Sequence, residues 1–212
     1  MTNEAKTKEN ELLAKFQKLE KQATEAKRAA IKNKNWNQYF LLFNESELLQ
    51  AFMAVCDQID DDKEFWRHFC ECYKNDDYIN KFFMVEAPIS HEEGILSLQK
   101  HKNQILKILN SKRPHRKNMM TKEEQETLNS MPDVIKMYRG FSLDELENGF
   151  SWTTNFKTAE WFTNRTKGDF VLAGYAKKPD VIAYITGRDE EEILIDPKNV
   201  FDKDKVRVGK QI

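Results

Sequence analysis

Several things are scarce in this chain, and each scarcity excludes a class of protein. Seven glycines and five prolines among 212 residues leave no material for a long flexible linker. There are three cysteines, Cys56, Cys70 and Cys72. An odd count with two at i,i+2 is a poor disulfide framework and points to a reducing compartment. A cytoplasmic location is therefore expected. No stretch approaches 18 uninterrupted apolar residues, which excludes a helical membrane span. The start Met1-Thr2-Asn3-Glu4-Ala5-Lys6 lacks the apolar run of a signal peptide. No glycine-rich dinucleotide fingerprint and no phosphate loop occurs, so a nucleotide would not bind in the doubly wound manner. Net charge is also missing: 34 Lys+Arg against 35 Asp+Glu leave -1, and charge as a whole points to neither nucleic acid nor a membrane.

What remains is 40% apolar and 33% charged, the make-up of a wet-surfaced globular protein of one domain or two small ones. The periodicity divides it. Residues 1–118 read as a helical region, and 119–212 as a region of short strands. Leu12, Phe16, Leu19, Ala23, Ala26 and Ala30 repeat at 4-3-4-3-4, a narrow stripe on a helix over 10–31. Such a helix either packs on its own chain or, as its stripe thins to alanine, pairs with a partner. Trp36, Tyr39, Phe40 and Phe43 follow as an apolar anchor. Ser46 or Asn44 can cap a helix through about Ile59. Asp60-Asp61-Asp62 opens another with Phe65, Trp66, Phe69, Cys70 and Tyr73 on its bulky face. Ile79, Phe82 and Phe83 suit one or two further turns, ended by Pro88. Ser90 and Glu93 form a capping box for a helix to about Asn110.

Metal chemistry finds little support. His68, Cys70 and Cys72 are spaced at i,i+2. Residues so spaced on a helix point in nearly opposed directions and cannot share one ion, so a zinc site would need a break there and further ligands. The aspartates at 60–62 lack calcium-loop spacing. No metal is expected. His101 lies on or beside the apolar stripe of its helix and reads as a packing residue. Lys112-Arg113-Pro114-His115-Arg116-Lys117 is the sharpest charge feature. It reads as a solvated linker, with contact to an RNA or DNA backbone as the other reading. No aromatics interleave it for base stacking.

Thr121 and Glu124 repeat the capping box and start a short helix to about Asn129. Strand-like runs then follow at 134–138, 151–154, 170–176, 181–186, 192–195 and 205–208, with a helix at about 158–165. Closely spaced strands after a helical block predict an α+β fold. The hydroxyls of Ser151-Trp152-Thr153-Thr154 are a poor filling for a core and are expected to line a cleft.

Val134-Ile135-Lys136-Met137-Tyr138-Arg139-Gly140, Ser151-Trp152-Thr153-Thr154, Ala159-Glu160-Trp161-Phe162 and Glu190-Glu191-Glu192-Ile193-Leu194 occur in that order. Together they resemble the mono-ADP-ribosyltransferases, specifically their arginine–serine–glutamate class, over about residues 121–200. The resemblance implies a split pair of small antiparallel sheets with NAD held between them. It implies that Arg139 contacts the NAD phosphates, that Ser151 lies under the nicotinamide ribose and holds the catalytic glutamate, and that Thr153 supports the cleft. Glu192 matches the catalytic glutamate and Glu190 the residue that orients an acceptor, with 187–191 as the acceptor-recognition turn. Gly140 and Trp152 fall within the matched cofactor-binding strings. An aromatic beside nicotinamide is expected, with Phe156 and Phe162 as candidates.

The residues suit that chemistry. A guanidinium fork matches phosphate oxygens. A carboxylate near the ribose stabilises positive charge as nicotinamide leaves. In an extended strand Glu190 and Glu192 would share one side with Glu191 turned away, and two close carboxylates would each favour a held proton. The expected function is transfer of ADP-ribose from NAD to an arginine side chain of a target protein. The alternatives are the same transfer to an RNA or DNA base, as a toxin or phage-defence effector, and a non-catalytic binding protein that keeps the fold. A neutralising antitoxin or host target is an expectation from the kind of enzyme.

Overall fold

The structure is a computed structural model that describes residues 3–75, 91–140, 148–165, 168–187 and 190–208. The expected turns at Ile79–Phe83 and the cap at Ser90 lie outside the described residues. The fold is mixed α+β, an N-terminal helical region followed by an antiparallel sheet. The chain divides into two compact units: residues 1–61 with 71–76, and residues 62–70 with 77–212.

The first unit is helical. Helix α1 runs over Asn3–Lys32, α2 over Trp36–Phe40 and α3 over Leu48–Val55. The chain breaks after α1 at Lys34, whose φ is 50°. Asn35 then caps α2 by accepting the Gln38 N–H at 3.1 Å. Asn44 and Glu47 form a capping box that opens the 3-10 turn Glu45–Glu47 before α3. Trp36, Tyr39 and Phe40 are buried, and Phe40 stacks on Phe52 with centroids 6.3 Å apart. Burial raises the Tyr39 pKa, and the nearby Cys72 adds to it. The helix expected to reach Ile59 stops at Val55. A 3-10 turn, Cys56–Gln58, follows, and Ile59 then turns extended and is fully buried. Burying that side chain outweighs the last helical turn.

The second unit holds the sheet. Helix α4 spans Asp62–Lys74, with its residues 62–70 in this unit, α5 spans His91–Leu109 and α6 Lys122–Ser130. Phe65, Trp66, Phe69 and His68 of α4 are buried. The basic run at 112–117 folds back onto these aromatics. Arg113 pairs with Asp62 at 3.0 Å and lies 4.0 Å from the Phe65 ring centroid. The Trp66 indole N–H donates to the Pro114 carbonyl at 2.8 Å. Arg116 donates to the Ser111 carbonyl at 2.8 Å, and burial lowers its pKa. Both arginines of the run are therefore engaged within the unit, while Lys112 and Lys117 are exposed. The Thr121 capping box forms as expected: Thr121 accepts the Glu124 N–H at 3.1 Å and Glu124 accepts the Thr121 N–H at 2.8 Å.

Strands β1 (Val134–Gly140), β2 (Ser151–Thr153), β3 (Phe170–Lys177), β4 (Val181–Ile185), β5 (Glu192–Ile195) and β6 (Phe201–Arg207) form an antiparallel sheet ordered β4-β5-β2-β1-β3-β6. Pairing along it is very uneven. All seven residues of β1 pair with β3. All three residues of β2 pair with β5. Between β1 and β2 the register holds at a single pair, Tyr138 with Thr153. The six-stranded sheet is thus joined between β2 and β1 by one residue pair, with β4-β5-β2 on one side of it and β1-β3-β6 on the other.

One face buries Ile135, Met137, Trp152, Leu172, Tyr184, Ile193 and Ile195, with Met120 and Leu128 packed against them. Helix α7 (Phe156–Arg165) sets Ala159 beside Val171, with Tyr138 and Phe156 partly buried alongside. Strand β6 begins four residues earlier than its apolar pattern implied (201 against 205). Asp202 to Lys205 carry only charges and every residue of β6 is exposed, so hydrophobic alternation could not mark it.

Candidate active site

The site lies beside the single β1–β2 residue pair. Three strands each contribute one polar group. The Ser151 hydroxyl donates to a carboxylate oxygen of Glu192. The Arg139 guanidinium donates to the Ser151 carbonyl. Arg139, Ser151 and Glu192 therefore form one connected cluster, although the first and last of them are 53 residues apart in sequence (192 − 139). The register explains the Ser151–Glu192 contact. Ser151 is opposite Leu194 and Thr153 is opposite Glu192. Ser151 and Glu192 are diagonal neighbours on one face, within reach of side chains. Glu192 is buried, with 7% of its surface exposed. A buried carboxylate must be hydrogen-bonded to be tolerated, and Ser151 supplies such a bond.

The two threonines after it fix the glutamate run. Thr153 donates to the Glu190 carbonyl at 2.6 Å and accepts the Asn155 N–H at 3.1 Å. Thr154 donates its hydroxyl to the Glu191 carboxylate, and its N–H to the Glu191 carbonyl at 3.3 Å. This corrects the expected alternation. Glu191 has φ 46°, and β5 begins only at Glu192. A left-handed residue breaks the two-residue period, so strand geometry does not put the side chains of Glu190 and Glu192 on one side. Two residues of the expected acceptor-recognition turn, 188 and 189, lie outside the described residues.

The other cofactor candidates separate into cleft and core. Trp152 points away from Ser151. Its ring is buried in the core, and its indole N–H donates to the Gly149 carbonyl at 3.0 Å. Its side chain holds the strand in place from the core. Gly140 is also explained by packing. A Cβ there would lie 2.1 Å from the Ala159 carbonyl oxygen and 2.8 Å from the Thr163 nitrogen. Only glycine lets β1 come so close to α7. Phe156 is partly buried and meets Tyr138 edge-on, centroids 5.3 Å apart. Phe162 is half-buried and meets the exposed Trp161 edge-on at 4.9 Å. Both belong to α7.

Two residues join the site without having been singled out in the sequence, and a third takes a role there beyond its expected one. Gly149 is the first. A Cβ on it would fall 2.0 Å from Cζ of Arg139, so its bare backbone is the slot in which the guanidinium lies. Lys102, on α5, is the second. Burial lowers its pKa, and the charges of Arg139 and then Lys203 lower it further. Lys203 in turn donates to the Asn148 side chain at 3.1 Å, next to Gly149. Cations from α5, β1 and β6 thus gather at this end of the sheet. Nothing in the sequence sets Lys102 apart from the other lysines of its helix. Glu124 is the third. Its carboxylate accepts the Thr186 N–H at 2.8 Å and the Thr186 hydroxyl at 3.1 Å, fixing the end of β4 from which the chain returns to Glu190. Its capping role was legible, and this second use of the same carboxylate was not.

Among the described residues no group of three or more His, Cys, Asp or Glu is placed to hold a metal ion. No helix among them is long and apolar enough to cross a membrane. Comparison with models of protein families, with curated proteins and with solved structures finds no match to this chain.

Proposed function

We propose that the chain is an NAD-dependent mono-ADP-ribosyltransferase that moves ADP-ribose from NAD to an arginine side chain of a target protein and releases nicotinamide. The observation that carries this reading is the Ser151–Glu192 hydrogen bond with Arg139 tied to the carbonyl of the same serine. The order and spacing of these residues resemble the arginine–serine–glutamate transferases. The single residue pair that joins β1 to β2 is in keeping with the split sheet that the resemblance implies.

Each group then has a task its chemistry suits. Arg139, with Lys102 and Lys203 near it, provides the positive field for a diphosphate. Ser151 holds the Glu192 carboxylate in one orientation. Glu192 faces the ribose and stabilises positive charge on the sugar as the nicotinamide bond breaks. Ser151 is a positioning residue here. It donates to a carboxylate and no histidine lies in the C-terminal half after His115, so the base a serine nucleophile needs is lacking. Glu190 is assigned the acceptor, and Thr153 and Thr154 set the run that carries it.

Protein is favoured over nucleic acid as acceptor. The arginines that would bind an RNA or DNA backbone at 112–117 are occupied by Asp62, Phe65 and the Ser111 carbonyl. Incubation with a cell lysate and NAD labelled in its adenylate half tests this. Label removed by protease and kept through RNase and DNase is the expected result; the reverse assigns the transfer to nucleic acid. Glu190→Ala should lower transfer to protein far more than hydrolysis of NAD, and an equal loss of both would remove Glu190 from acceptor recognition.

The slot at Gly149 gives a separate check on the phosphate-binding role. Gly149→Ala forces the Arg139 guanidinium out of its place. A charge-assisted hydrogen bond is worth about 1.5–3 kcal/mol, so NAD affinity should fall by roughly tenfold or more. Isothermal titration measures it. Unchanged affinity would mean that the position of Arg139 is irrelevant to NAD.

A further inference from the structure

Helix α1 carries its apolar stripe well past the part its own unit covers. Near its end the stripe is used. Ala26, Lys27 and Ile31 are half-buried, Ala30 is buried, and Lys27 lies 3.7 Å from the Phe43 ring centroid. From Leu12 to Glu25 every residue is exposed. Leu12, Leu13, Phe16 and Leu19 are each more than half exposed. Leu12, Phe16 and Leu19 belong to the same stripe as the covered alanines, and Leu13 flanks it. Short isolated helices gain little stability from propensity alone, and a row of exposed leucine and phenylalanine marks an interaction surface.

We propose that residues 12–26 form a dimerisation helix that pairs, parallel and in register, with the same segment of a second copy of this chain. The first argument is spacing. Leu12, Phe16, Leu19, Ala23 and Ala26 alternate four and three residues apart, the repeat of a two-helix coiled-coil seam. A seam of this kind is narrow and faces one partner helix, whereas a helix meant for a sheet or globular surface shows a wider apolar face.

The second argument is charge, and it selects the occupant and its direction. Lys15 directly precedes seam residue Phe16, and Glu20 directly follows seam residue Leu19. In a parallel pair the residue before one seam position meets, on the other helix, the residue five places further on. Lys15 of each copy therefore meets Glu20 of the other, on both flanks of the Phe16 and Leu19 layers. An antiparallel pair overlapping the same seam sets Lys15 against Gln22 and Glu20 against Leu13, with no ion pair. Exposed ion pairs are weak individually. They choose the orientation, and burial of the leucines and phenylalanine drives association. The short seam makes the dimer dependent on concentration. The inference is independent of the chemistry proposed above.

Sedimentation equilibrium of the full chain over a concentration series tests it. The apparent mass should rise from 25.1 kDa toward twice that value. Phe16→Lys removes an exposed seam residue without touching the fold, and should raise the dissociation constant by about tenfold or more. Lys15→Glu should also weaken the dimer, and Lys15→Glu with Glu20→Lys should restore it. Circular dichroism of each variant checks that the fold is retained. A chain that stays monomeric throughout, or a dimer that ignores Phe16→Lys, overturns the proposal. A dimer that Phe16→Lys breaks and Lys15→Glu leaves unchanged overturns the parallel register.

Discussion

Glu192→Gln should lower ADP-ribose transfer by about a thousandfold, the scale of losing one preorganised electrostatic group from an active site, while NAD affinity changes only a few-fold. The amide has almost the volume of the carboxylate, so the core around β5 is undisturbed. It can still accept the Ser151 hydroxyl proton through its carbonyl oxygen, so the hydrogen bond that positions residue 192 survives. What is lost is the negative charge that opposes positive charge developing on the ribose. A group that acts in the transition state lowers kcat and leaves ground-state binding nearly intact. Steady-state kinetics beside isothermal titration separate the two. A variant that transfers at the wild-type rate would move the catalytic glutamate elsewhere in the 190–192 run. One that loses NAD binding and rate together would make Glu192 a binding residue only.

Gly140→Ala should cost about 3 kcal/mol of stability, the upper end of the usual overpacking range, or a fall of roughly 6–12 °C in melting temperature for a chain of this size. The added methyl meets backbone. The Ala159 carbonyl oxygen would be 2.1 Å away and the Thr163 nitrogen 2.8 Å. A flexible side chain could swing aside, but α7 cannot. Its turn is held at that point by the Thr163 hydroxyl, which donates to the Ala159 carbonyl at 3.1 Å and to the Phe170 carbonyl at 3.1 Å. Thermal unfolding followed by circular dichroism measures the cost. At temperatures where the variant is folded, NAD should bind with nearly the wild-type affinity. An unchanged melting temperature would show that β1 and α7 are not locked at Gly140. A large loss of affinity in the folded variant would return Gly140 to the binding set.

What could be read from the sequence was mainly what local chemistry decides. The box of Thr121 and Glu124 needs only four consecutive residues, and it starts α6 as expected. The strands at β1, β3, β4 and β5 carry apolar side chains in runs and are found within two residues of their expected bounds. Strand β6 has no such run, and an edge strand covered only in charges gives no period to detect. The connection of Arg139, Ser151 and Glu192 followed from a pattern of motifs, since no local rule joins residues on three strands.

The parts that failed depended on backbone detail. The alternation of Glu190 and Glu192 assumed an extended chain, and one left-handed residue, Glu191, cancels it. Trp152 entered the expected binding set because it falls within a string that resembles the family's. A strand sends adjacent residues to opposite faces, so the hydroxyls themselves place Trp152 in the core. Gly140 and Gly149 could not be assigned from sequence because their reasons are close approaches, one to a helix and one to a guanidinium, between segments separated in the chain. Lys102 is found only through its charged neighbours.

The central claim is that the cluster of Arg139, Ser151 and Glu192 breaks the bond between nicotinamide and ribose. The most direct measurement is the release of free nicotinamide from NAD labelled in that ring, by purified full-length chain in the presence of cell lysate protein, with Glu192→Gln as its partner sample. The account predicts steady release by the wild-type chain and almost none by the variant, both binding NAD with similar affinity. Equal release by the two proteins, or none by either, would contradict it.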